Sequence, residues 1–231
     1  MAVTRYELEG KTAIVHMDDG KANALSVAMI AELGEALARA EKEASAFVLC
    51  GRPERFCAGF DLKVMMSGPD AARALLGSGA ELLMKLYESP LPVVAACTGH
   101  AMAGGALVLL SADVRIGAAG AFKLGLNEVS IGMPVPVLAM ELARDRLAPT
   151  ELGHATLRAR IYDPEAAARA GFLDEVAPPA EVLPRATAEA ARLGALSRMA
   201  HSATKRRLRS RTVEHIRSTL ESDVANITAG R

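Results

Sequence analysis

Between Pro90 and Ala112 the chain runs for 23 residues, PLPVVAACTGHAMAGGALVLLSA, without one Asp, Glu, Lys or Arg. A run of that length can cross a bilayer, fill a core or wall a site closed to water. A spanning helix needs about 20 consecutive apolar residues, so length alone permits the first use. The order of the residues argues against it. Pro90 and Pro92 stand at its start, Thr98-Gly99-His100 interrupt it, and Gly104-Gly105 weaken any continuous helix. The run reads as two elements joined by a glycine-rich connection. Residues 93–97 suit a strand buried on both faces, β-branched at Val93 and Val94, and residues 106–110 are helix formers.

The same alternation extends along the chain. Residues 6–8 and 12–16 are expected to pair as a hairpin around Glu9-Gly10-Lys11. Ser26 is placed to cap an amphipathic helix over 27–42, with Met29, Ile30, Leu33 and Leu37 on one face. AFVLC (46–50) reads as a buried strand, 71–88 as a helix and 113–116 as another strand, an order that predicts parallel βαβ units. From Pro149 onward the pattern is mostly helical, with candidates at 164–170, 181–199 and 202–225. At 231 residues the chain fits one enzyme-sized unit. The division expected is a core domain over 1–195 and a C-terminal helical segment over 196–231, packing on its own core or on a neighbouring subunit.

Lys plus Arg balances Asp plus Glu at 27 each, so net charge favours neither a nucleic-acid nor a membrane-surface partner. Basic residues concentrate locally, with six and no acids from Arg198 to Arg211, including KRRLRSR. That run reads as a solvated helix face, with phosphate contact as the alternative. Cys50, Cys57 and Cys97 have no metal-ligand spacing and cannot all pair, and MAVTRYELEGK lacks the apolar centre of a signal peptide. The expectation is a reducing cytoplasm and no metal.

Two glycine connections carry the chemistry. FCAGFDL (56–62) follows the AFVLC strand and a polar loop, with Asp61 placed to cap a helix. GHAMAGG (99–105) leads from a strand into a helix. Helix N-termini present free N–H groups and the positive end of the helix dipole, so two such connections meeting at one point would hold an oxyanion. His100 reads as a satisfied histidine at a strand end, Asn127 as a turn or carboxylate-orienting residue, and Asp113 with Arg115 as a structural pair.

Together, FCAGFDL, GHAMAGGALVLLSADVRI, GLNEVSIGM and YDPEAAARAGFLDEVAPPAEV resemble the crotonase superfamily, the enoyl-CoA hydratase and isomerase family. The resemblance implies an α/β fold, a crotonase-like ββα-superhelix core of stacked βαβ turns with a helical C-terminal region. It also implies a homotrimer or dimer of trimers, acyl-CoA thioester substrates, and no cofactor beyond the substrate's own coenzyme A. Carried onto this chain, the family's oxyanion hole falls on the N–H groups of Phe60 and Gly104. Ala58, Asp61 and Leu62 would line the coenzyme A groove, with Ala22 and Ala24 of KANAL on its other edge.

The family's hydratases use two glutamates. One falls here on Glu128, whereas the other falls on Leu107, which cannot exchange a proton. Hydration needs a water activated and C2 protonated, so a single carboxylate speaks against it. Moving a double bond needs only one base, and GLNE with a leucine at the other position is locally similar to the Δ3,Δ2-enoyl-CoA isomerases. The leading expectation is an enoyl-CoA isomerase with Glu128 as its acid/base and Leu107 as an apolar wall of the substrate site. A hydratase or other crotonase reaction such as thioester hydrolysis, and a non-catalytic acyl-CoA binder, are the alternatives.

Overall fold

Gly10, at φ 59°, makes the turn between β1 (Thr4–Glu9) and β2 (Thr12–Met17), which pair antiparallel from Thr4↔Met17 to Glu9↔Thr12. They open a computed structural model that describes residues 2–229, with side chains through residue 227. Helix α1 (Val27–Glu43) begins where Ser26 Oγ accepts the Met29 N–H at 3.2 Å, and it buries Met29, Ile30, Leu33 and Leu37. The chain continues through β3 (Ala46–Cys50), β4 (Glu54–Cys57), α2 (Leu62–Met65), α3 (Pro69–Glu88), β5 (Val93–Cys97), β6 (Gly99–Met102), α4 (Gly104–Ser111), β7 (Val114–Ala118) and β8 (Leu124–Gly125). Then come α5 (Val137–Arg146), α6 (Pro149–Ala155), α7 (Pro164–Ala170), β9 (Glu175–Ala177), α8 (Val182–Gly194) and α9 (Arg198–Ala229).

Six strands form one sheet in the order β1-β2-β3-β5-β7-β9, parallel from β2 onward. Every residue of β3 and β5 is buried because both faces of the sheet are covered. Alternation along β3 sends Phe47 and Leu49 into one apolar cluster with α1, α3 and α4, while Val48 and Cys50 enter another with Val182, Ala186 and Ala190 of α8.

A second, three-stranded parallel sheet, β4-β6-β8, stands apart from the first. The two glycine segments were expected as connections between elements, yet the first part of each is itself strand. Elements this short show no periodicity along the chain, and only pairing between distant segments makes them.

The C-terminal helices also divide differently from expectation. α8 stops at Gly194, whose Cα side lies against Ser45 and Ala46, and one 32-residue helix begins at Arg198. α9 packs along α3 and α5 of its own chain. Its buried positions 202, 205, 209, 216, 224 and 227 follow a helical stripe, polar in the first half and aliphatic in the second.

The polar half overturns two expectations. Arg206, Arg207 and Arg211 are exposed, as on a solvated face, but Lys205 and Arg209 are buried. Lys205 Nζ lies 2.5 Å from Asp113 Oδ2 and donates to Leu91 O at 2.7 Å, and Arg209 Nη2 lies 2.7 Å from Asp113 Oδ1. Asp113 therefore does not pair with Arg115. Strand β7 starts one residue after it, leaving its side chain free to turn toward α9 and to accept the Val93 N–H at 2.8 Å. Arg115 pairs with Asp174 instead, through Nη2–Oδ1 at 2.6 Å and Nε–Oδ2 at 2.9 Å.

Candidate functional site

The three strands of the small sheet release the chain at the same edge, because all run parallel. Beyond β4 come Ala58, Gly59 and Phe60; beyond β6, Ala103 and Gly104; beyond β8, Leu126, Asn127 and Glu128. The ends are in register, with Cys57 opposite Ala101, Met102 opposite Gly125, and the Ala103 N–H bonded to Gly125 O at 2.9 Å. The region past the carboxyl ends of parallel strands is where open α/β sheets bind ligands.

At the first end, the chain from Ala58 to Asp61 pairs with residues 22–25. The bonds are Ala58 N to Ala22 O at 3.0 Å, Leu25 N to Gly59 O at 2.8 Å and Asp61 N to Leu25 O at 3.3 Å. Extended backbone alternates its donors, so the Phe60 N–H points away from that partner. Among the described residues it has no acceptor. The loop behind it is pinned by Asn23, fully buried at φ 54°. Its Nδ2 reaches Met17 O (2.9 Å), Arg55 O (3.1 Å) and Phe56 O (3.2 Å), while its Oδ1 accepts from Asp19 N (3.1 Å). Sequence reading missed this residue inside KANAL. The signal was the Asp18-Asp19-Gly20 turn next to an asparagine, the residue other than glycine that best tolerates positive φ.

At the second end, Gly104 is the first residue of α4, so its N–H has no partner within the helix and none among the described residues. Ala103 before it holds φ 49° and ψ −119°, a sparsely populated conformation that aims the helix start. Backbone closeness dictates the glycines. A Cβ on Gly105 would sit 2.0 Å from Cys57 O, and one on Gly59, whose φ is 97°, would sit 3.0 Å from Met102 O and 3.2 Å from the Gly104 nitrogen. The Phe60 ring packs against Gly79 of α3 and over Gly104. The structure thus brings Phe60 and Gly104 together as two adjacent unpaired donors, an arrangement suited to an oxyanion.

At the third end, Glu128 is 7% exposed, and its Oε2 is buried without a hydrogen-bond partner among the described residues. Burial pushes its carboxyl above the usual carboxylate value, opposed only by a bond from its own backbone N–H. Asn127 Oδ1 is likewise buried and unpartnered.

Leu107, in α4, is buried and shares a narrow apolar cleft of about 30 Å³ with Phe60, Leu83 of α3, Leu138 of α5, and Leu220 and Val224 of α9. Glu128 is not among the residues lining that cleft; it stands at the neighbouring strand end. Ala58 and Leu62 are exposed and Ala22 and Ala24 are partly buried, on the ledge beside the Phe60 backbone. Asp61 Oδ1 accepts from Lys63 N at 2.9 Å, capping α2 as expected.

His100 is occupied and the cysteines are inert. His100 Nδ1 accepts from Lys123 N at 2.9 Å, and its ring meets Phe122 edge-on at 5.5 Å. Burial raises all three cysteine thiols to about 12, which keeps them protonated. Among the described residues no cluster of His, Cys, Asp or Glu could hold a metal, and no helix is long and apolar enough to cross a membrane.

Comparison with known proteins agrees with this fold. A Rhodobacter capsulatus protein described as a probable enoyl-CoA hydratase is 35% identical over 205 residues, 87% of this chain and 79% of its own. An enoyl-CoA hydratase/isomerase family protein from Pseudomonas syringae superposes with a TM-score of 0.95 at 39% identity, covering 97% of this chain and 98% of its own. Human mitochondrial Δ3,Δ2-enoyl-CoA isomerase superposes at 0.94 with 27% identity, covering 98% and 91%. The sequence model of the enoyl-CoA hydratase/isomerase family matches residues 7–229, and the chain belongs to that family.

Proposed function

We propose that this protein is an enoyl-CoA isomerase that moves the double bond of a 3-enoyl-CoA to the 2-trans position. The observation that carries the proposal is one buried carboxylate, Glu128, with the apolar Leu107 standing at the other position where a hydratase of the family has its second glutamate. Glu128 removes a proton from C2. Electrons from that C–H bond form the C1–C2 double bond of a dienolate, and negative charge moves to the thioester oxygen. The N–H groups of Phe60 and Gly104 hold that oxygen while the charge is present. The C3–C4 π electrons then take the proton back from Glu128 at C4, the C1–C2 pair moves to C2–C3, and the thioester carbonyl re-forms. No water enters the reaction, in keeping with an apolar cleft around Leu107.

Purified protein is expected to convert 3-enoyl-CoA to 2-trans-enoyl-CoA, with kcat/KM rising with pH as Glu128 ionises. A base works deprotonated and burial raises its pKa, so the acid limb should lie above the usual 4.5. Following product across a pH series checks both points, and a limb at or below 4.5 would remove Glu128 as the base. The name of the Rhodobacter capsulatus relative favours hydration as a second reading. Crotonyl-CoA hydration faster than isomerisation would establish that reading over ours.

Gly59→Ala tests the donor pair. The added methyl would strain a backbone at φ 97° and press on Met102 O and the Gly104 nitrogen. Turnover is expected to fall about 10²–10³-fold, the range for loss of one oxyanion donor. A kcat within a factor of about two of wild type in a folded variant would contradict the role.

A further inference from the structure

Helix α5 begins without a cap of its own. Its N-terminal neighbour is Pro136, which offers no side-chain acceptor. The acceptor comes instead from α9, where Asp223 Oδ2 takes the Val137 N–H at 2.7 Å across 86 residues of sequence, and the same carboxylate also receives a backbone bond from Leu138. A carboxylate at the first turn of a helix satisfies its free donors and its dipole. Among the described residues lining the apolar cleft that Phe60 and Leu107 share, Asp223 is also the one charged side chain. Nothing in the chemistry of an aliphatic pocket asks for a carboxylate there, so the group has another reason to be present.

That reason lies in the segment between Glu128 and α5. It turns through a short 3₁₀ helix, Val129–Ile131, and Gly132 at φ 78°, then passes Pro134 and Pro136, which have no N–H to donate. Residues 129–132 are exposed. At its near end the segment is fastened by Glu128 O, which accepts from Ile131 N at 3.1 Å and Met133 N at 2.9 Å. At its far end the fastening is the Asp223 bond to Val137 N. Between the two fastenings Met133 and Val135 pack against the core, so the Asp223 bond fixes where the segment ends and α5 begins.

We propose that Asp223 is a positioning residue, which locks the segment carrying Glu128 by capping α5 from α9 and so keeps the Glu128 carboxylate buried at the small-sheet edge. This makes the C-terminal helix part of the acid/base machinery without touching the substrate's reacting carbons. The inference rests on Glu128 being the base only for its kinetic consequence; the positioning itself can be read without turnover.

The experiment compares wild type with Asp223→Ala, Asp223→Leu, which keeps the cleft filled, and Asp223→Asn, whose amide oxygen still accepts the Val137 N–H. The direct readout is the Glu128 carboxyl titration followed by carbon NMR on glutamate-labelled protein, assigned with Glu128→Gln. In Asp223→Ala and Asp223→Leu the titration is expected to move from its raised position toward the usual 4.5, and the Val137 amide to exchange faster with solvent; Asp223→Asn is expected to titrate like wild type. A Glu128 titration unmoved in folded Asp223→Ala or Asp223→Leu, or shifted as far in Asp223→Asn, overturns the proposal. On 3-enoyl-CoA, kcat is expected to drop about 10- to 10²-fold in the first two variants and to be restored in the third, as a small misplacement of a catalytic group produces. A wild type inactive on 3-enoyl-CoA would overturn the isomerase reading, while the titration still decides the role of Asp223.

Discussion

Glu128→Gln is expected to lower isomerisation of 3-enoyl-CoA by about 10²–10⁴-fold, the contribution typical of a positioned acid/base, and at neutral pH to make the protein more stable. The two effects have one cause. The folded chain holds the Glu128 carboxyl in a buried place with Oε2 unpartnered, which disfavours its charged form and raises its pKa. For a carboxyl raised in this way, the folded state binds the proton more tightly than the unfolded state. Its destabilisation is therefore fully present above the folded pKa, shrinks as pH falls, and vanishes below the unfolded value near 4.5. An uncharged amide removes that penalty, although an unpaired buried polar atom retains part of a cost of about 1–3 kcal/mol. Turnover assays and urea denaturation at neutral and acid pH measure both effects. A variant that loses stability along with activity would identify Glu128 as a structural carboxylate.

Asp113→Ala should have the largest effect on stability. The substitution leaves Lys205 and Arg209, each with a side chain about 4% exposed, without their shared counter-ion. Removing one partner of a buried ion pair costs about 3–5 kcal/mol, because an uncompensated charge remains in a poorly solvated place. Lys205 can lessen that cost by losing its proton. Burial already pushes its pKa down to about 8, against the pull of Asp113, whereas an arginine stays charged. Arg209 is therefore expected to dominate the loss, and because both cations lie on α9, that helix should loosen from α3 first. Urea denaturation with hydrogen exchange along α9 tests this. If Asp113 only supported β7 locally, exchange in α9 would stay at the wild-type level. Replacing all three charged residues by apolar ones of similar size should recover much of the loss, as it does where buried ionic groups give way to packed side chains.

The strands β3 and β5 were legible in the sequence because AFVLC and VVAAC are short apolar runs bounded by turn residues, and a strand covered on both faces needs nothing else. The candidate site residues were picked out by the resemblance of their motifs to the family. Phe60, Gly104 and Glu128 lie at three neighbouring strand ends, and the glycines around them stand where a Cβ would strike backbone. The small sheet that aligns those ends was not legible, since β4, β6 and β8 hold four, four and two residues, too few to show a period. The break before α9 had its signal in Gly194, but the apolar residues on either side hid it.

What the sequence determined by itself was the set of parts: uncharged strands, two glycine connections, one glutamate in an apolar context and a leucine where a second glutamate would be expected. The strands, the glycine connections and the apolar context of the glutamate follow from backbone sterics and burial, which act within a few residues and leave marks in order and composition; the meaning of the leucine came only from the family resemblance. Only the tertiary structure decided the partners. Asp113 joined Lys205 and Arg209 rather than Arg115, Arg115 joined Asp174, and Asp223 reached across to α5. A charge or a free N–H is satisfied by whichever group the fold brings within about 3 Å, and sequence spacing places no limit on how far along the chain that group lies.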